Sequence, residues 1–124
     1  KYDTTSLDTK VNLMTKNISD PWFKTQAFIL HGDYYSNIKE YIVAEEKYKN
    51  ALLIATSNAQ KARILFKLGH IYFALDELSE SLSYYEKAKL IFDETDIIPS
   101  NPSFDFLKET NEIALNKILY ILEK

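Results

Sequence analysis

The chain predicts an all-α fold of about six helices, arranged as helical-hairpin repeats. Three observations carry this prediction. Apolar residues recur with a helical period, and no window alternates with period two for long enough to suggest a strand. Capping residues and prolines fall where helices would start rather than inside them. The chain also matches itself when shifted by thirty-seven residues, the mark of stacked supersecondary units.

The elements follow in order. Leu7, Val11 and Met14 form a short stripe on a helix over about 6–17, placed to cover the first repeat. Asp20-Pro21 reads as an N-cap followed by Pro in the first turn, and opens a helix over 21–37. A break at 36–40 leads into a helix over 40–56. Ser57-Asn58-Ala59-Gln60 has the capping-box form, Ser then Gln three later, and opens a helix over 58–75. There Ala62, Leu65, Gly69 and Tyr72 form one stripe and Ile64, Leu68, Ile71 and Leu75 a second, so this helix is sandwiched between neighbours. A break at 75–79 precedes a helix over 78–93. Pro99 sits in the longest loop-like stretch, and Asn101-Pro102 opens a last helix over 102–123. It carries Phe104, Leu107, Asn111, Ala114, Ile118 and Ile121 on one stripe and Phe106, Ile113 and Tyr120 on another. A cap should be polar on its outer face, so two apolar faces point to more repeats, a homodimer mate or a partner beyond it. The alternative is a long helix packing across the end of the stack within one chain.

Both glycines, Gly32 and Gly69, stand among helix formers, where each costs roughly 0.5–1 kcal/mol relative to Ala. The thirty-seven-residue shift places one on the other. It also places Phe28 on Leu65, His31 on Leu68, Tyr35 on Tyr72, Tyr41 on Leu78, Ala44 on Ser81, Tyr48 on Tyr85 and Ala51 on Ala88. The glycines then mark where the second helix of each hairpin comes close, opposite Ala44 or Ser81.

The stretch LFKLGHIYFALDELSESLSYYEKA resembles a tetratricopeptide repeat through Leu65, Leu68, Gly69, Tyr72, Ser81, Tyr85 and Ala88. The earlier copy matches through Phe28, Gly32, Tyr35, Ala44, Tyr48 and Ala51, and departs at His31, where Leu is usual. The resemblance implies a right-handed α-solenoid occupying 1–124 as a single domain. In it 6–20 is an N-terminal flanking helix, 25–58 the first repeat, 62–95 the second, and 102–123 a capping or third-repeat helix. The segment HGDYYSNIKEYIVAEEKYKNAL is similar to a repeat near the start of a tetratricopeptide subunit of the anaphase-promoting complex, sharing His31, Asp33, Lys39, Glu40 and Lys47 beside the repeat consensus. Bacterial peptide-sensing regulators have a similar architecture.

Composition narrows the function classes. Apolar residues make up 46% of the chain and the formal net charge is −3, which argues against disorder and against a dedicated nucleic-acid surface. No apolar run reaches the roughly 18 residues a membrane span needs. The chain has no cysteine, which fits a reducing compartment; the expected location is cytoplasmic or nuclear. It begins at Lys1 rather than Met, which suggests a piece of a longer chain.

No catalytic constellation is expected, nor a metal or other cofactor. Of the two histidines, His31 aligns with a core Leu, and His70 has no nucleophile placed beside it by motif. The acidic runs Glu45-Glu46 and Asp93-Glu94-Thr95-Asp96 read as solvated faces with pairs such as Glu45–Lys49. Binding is the expected role. In the resembling family, first helices line a concave groove; here its residues would be Gln26, Ile29, Asp33 and Ser36, then Arg63, Phe66, His70 and Phe73. Phe66 and Phe73 would be apolar anchors for a protein or peptide, with Arg63 supplying a charge and Asp33 rejecting acidic ligands. Members that hold chaperone tails use a Lys and an Asn. Ile29, Asp33, Phe66 and His70 stand there instead, so no chaperone C-terminal tail peptide is expected. The rival expectation is structural: self-association through Phe106, Ile113 and Tyr120 of the last helix.

Overall fold

The computed structural model describes residues 5–94 and 102–123. Within them the chain is all-helical: α1 (Thr5–Asn17), α2 (Pro21–Asn37), α3 (Tyr41–Ile54), α4 (Asn58–Ala74), α5 (Leu78–Glu94) and α6 (Pro102–Leu122). No helix among the described residues is long and apolar enough to cross a membrane.

Local chemistry sets the helix starts. The Asp20 carboxylate accepts the Trp22 N–H at 2.8 Å, and Pro21 follows in the first turn. Ser57 Oγ accepts the Gln60 N–H at 3.4 Å. The capping box stops there, because the Gln60 side chain turns away to donate to Trp22 O at 3.0 Å and Gln26 Oε1 at 3.1 Å. α3 starts at Tyr41 without a side-chain cap from Glu40. Asn101, Pro99, Thr95 and Asp96 lie outside the described residues.

The helices pack in a repeat-like arrangement. α2 pairs with α3 and α4 with α5; α3 lies on α4, α5 on α6, and α1 on α2. α2 also touches α4, and α4 touches α6. The two hairpin turns are built alike. Lys39 N donates to Ser36 O and Asp76 N to Phe73 O, both at 3.0 Å. Glu40 N donates to Tyr35 O and Glu77 N to Tyr72 O, both at 2.9 Å. Lys39 and Asp76 each take the left-handed conformation, φ 64° and 60°.

The glycines answer to a neighbour beyond those expected. A Cβ on Gly32 would stand 2.6 Å from the Tyr48 ring, and one on Gly69 2.7 Å from the Tyr85 ring. What a side chain there would meet is thus a tyrosine ring on the second helix, while the expected neighbour Ser81 also lies against Gly69. Ser81 has a further part, donating to Gly69 O at 2.7 Å. Tyr85 is buried, which pushes its phenol up to about 12.

Successive units are joined by carboxylate–tyrosine bonds. The Tyr35 hydroxyl donates to Asp8 at 2.7 Å, and the Tyr72 hydroxyl donates to Glu45. Glu45 also pairs with Lys49 at 3.4 Å, the expected ion pair, so it is more than a solvated charge. His31 is fully buried, with Nε2 2.7 Å from Asp8. Desolvation pushes the Asp8 carboxyl up, but hydrogen bonds from Tyr35 and His31 outweigh it and leave it below its ordinary value. In α1 the buried residues are Val11 and Thr15; Met14, expected to complete the stripe, is exposed.

Candidate functional site

A helix packed on two sides still keeps a free face. On α2 and α4 that face opens into a hollow of about 400 Å³, lined by Asp33, Ser36 and Asn37 from α2, Phe66, Lys67 and His70 from α4, and Tyr48 from α3. Asp33 is its electrostatic centre. It accepts from the Tyr48 hydroxyl and pairs with Lys67 Nζ at 2.8 Å. Burial first, and then the bond to Asp33, raise the Tyr48 phenol well above its ordinary value, so Tyr48 stays a donor across the physiological range.

A second hollow, of about 110 Å³, follows between α4 and α6. His70, Phe73 and Tyr85 line it with Ala114, Lys117 and Ile118. His70, Phe73 and Tyr85 stand thirty-seven positions after Asp33, Ser36 and Tyr48, so the second hollow repeats the first with other side chains. Phe73 replaces a serine, and Lys117 Nζ lies 5.2 Å from the centre of its ring, a cation–π arrangement.

The structure thus brings Asp33, Ser36, Phe66 and His70 together and puts Phe73 one hollow on. Ile29 does not belong to this face: it is 2% exposed and sits in the core with Tyr48, Ile64 and Leu68. Gln26 accepts from Gln60 and borders a different hollow with Met14 and Phe23. Arg63 is partly buried and lines neither of these two hollows. Asp33 does not present the bare negative charge expected of it, because Lys67 neutralises it. On α6, Phe106, Ile113 and Tyr120 are all exposed.

Sequence reasoning missed Lys67, Lys117 and Tyr48 as lining residues. Helical phase offered a signal for Lys67, which follows Phe66 and faces α2 beside it. Among the described residues no cluster of three His, Asp or Glu side chains is placed to hold a metal ion. Comparison with protein families, with curated proteins and with solved structures gives no match to this chain.

Proposed function

We propose that this chain is a non-enzymatic protein-interaction module of the tetratricopeptide kind, a scaffold or adaptor. A segment of a partner protein lies along the face shared by α2 and α4, with Phe66 and Phe73 as apolar anchors. The observation that carries this reading is the pair of successive hollows, each bearing an aromatic side chain beside charged groups. Aromatic anchors flanked by polar groups in partly desolvated pockets are where binding energy concentrates. The Asp33–Lys67 pair presents both a donor and an acceptor, which suits a peptide backbone or a mixed-charge segment better than a lone carboxylate. Chaperone tails remain poor ligands in this reading, since Asp33 and His70 stand where their Asn would be.

Selection of a random peptide library on the chain tests this. Selected peptides should lose at least about tenfold in affinity to the double variant Phe66→Ala with Phe73→Ala, while helicity by circular dichroism is kept. Binders indifferent to both substitutions would place the binding face elsewhere.

A further inference from the structure

Among the described residues the two ends of the stack each leave one face uncovered, and the faces are counterparts. α1 is in phase with the repeat. Moved on by thirty-seven, Thr5–Asn17 falls on 42–54, inside α3, and Asp8 falls on Glu45, the carboxylate with the same tyrosine bond. α1 therefore holds the place of a second helix, and among the described residues no first helix packs on it. The effect is visible at Met14. Its equivalents Ala51 and Ala88 are 0% exposed, each within its own hairpin, whereas Met14 is 51% exposed.

α2 shows the same opening. In α4, Gln60 and Lys67 reach back to the preceding first helix, to Gln26 and Asp33. The residues thirty-seven before them are Phe23 and Leu30, which are 58% and 61% exposed. With Met14, Ile18, Gln26 and Ala27 they line an apolar hollow of about 270 Å³.

At the other end α6 holds the place of a first helix. From Lys67 and His70 in one hollow to Ala114 and Lys117 in the next the offset is forty-seven. The same offset carries the buried Ile64, Leu68 and Ile71 onto the buried Asn111, Leu115 and Ile118. It carries Leu65, Gly69 and Tyr72, which are buried in α4, onto Glu112, Asn116 and Leu119, where no second helix packs among the described residues.

We propose that chains associate head to tail: α6 of one copy lies against α1 and α2 of the next and forms with that α1 a hairpin between chains. Four features favour a second copy as the occupant. The contact continues the packing already present twice inside the chain. The glycine–tyrosine pair of each internal hairpin becomes Asn116 and Val11: Asn is larger than the glycine it replaces, and Val is smaller than the tyrosine and already buried within its own chain. Phe106 and Ile113, both exposed, fall at the positions equivalent to Ala59 and Phe66 and so come opposite Phe23 and Leu30 of the next copy. Glu109, near Ile113, lies on the side that meets Lys10, one turn before Met14, whereas Glu112 is already held by Lys89 at 2.6 Å. Such a contact uses different patches on the two copies, so it propagates instead of closing a symmetric dimer.

Sedimentation velocity of the 124-residue chain from about 1 μM to about 1 mM tests this, a range in which modest interfaces associate. Wild type should grow beyond a dimer as concentration rises. Leu30→Glu and Ile113→Glu change exposed residues at opposite ends, and each alone should give monomers with unchanged helicity. Mixed in equal amounts they should give heterodimers that grow no further, because one variant keeps an intact α6 and the other an intact α1–α2 hollow. Two results overturn the proposal. Wild type that stays monomeric throughout would assign the hollow to a helix from another protein or another segment. Loss of association in Ile113→Glu alone, with Leu30→Glu unaffected, would mean a symmetric α6 pairing.

Discussion

In the first hairpin the ring that fills the space beside the glycine, Tyr48, donates to Asp33, and Asp33 is held by Lys67 of the next hairpin. In the second, Tyr85 fills the same space beside Gly69, but the place of Asp33 is taken by the exposed His70 and that of Ser36 by Phe73. Positions that govern how closely two helices approach are the same in both copies. Positions that face the hollows are not. The hairpins share a frame and offer different chemistry, an ion pair beside Phe66 in one and a lysine over Phe73 in the other.

The frame is where substitution should cost most. Gly32→Leu and Gly69→Leu should each destabilise by about 1–3 kcal/mol in urea titrations, since the new side chain meets a buried tyrosine ring. A large difference between the two would show that the copies differ in their frame as well as in their surface. Removing one hydroxyl should separate the copies. Tyr48→Phe takes a donor from a charged acceptor and should cost roughly 1.5–3 kcal/mol. Tyr85→Phe removes no bond to a carboxylate among those described, and should cost less in the same titration. Equal losses would end the distinction drawn here.

The turns give a smaller effect of opposite sign. Lys39 and Asp76 both have positive φ, a conformation that glycine takes freely and Asp tolerates better than Lys. Lys39→Gly should stabilise by about 1 kcal/mol, more than Asp76→Gly does, in thermal melts. The smallest effect concerns the joint between α1 and α2. The Asp8 carboxyl is held below its ordinary 3.8 in the folded chain, so the joint contributes fully above that value and is lost as pH falls through the lower folded one. Asp8→Asn should flatten the acid side of the melting-temperature profile; an unchanged profile would mean that other carboxylates dominate it.

The helix limits were legible within a residue or two because caps and breakers act locally, as at Asp20, Pro21 and Ser57. The stripes of α4 were legible because both are periodic and buried, save Leu75, which is partly buried and caps the helix. What escaped lies in contacts between helices distant in sequence. Nothing near Asp8 announces Tyr35, and nothing near Asp33 announces Lys67. Helical phase also gives direction without depth. Ile29 points the same way as Phe66, its equivalent, but with a shorter side chain it ends within the core while Phe66 reaches the hollow.

The tyrosine–carboxylate bonds between units bear on how the chain comes apart. In a stack whose members touch only their neighbours, unfolding is shared between the stability of each member and the coupling across each junction. Asp8 with Tyr35 and Glu45 with Tyr72 are two such couplings, each made by one residue from each side. They tie the loss of one member to the loss of the next, so a chain this short should melt as a single cooperative body instead of fraying member by member from its ends.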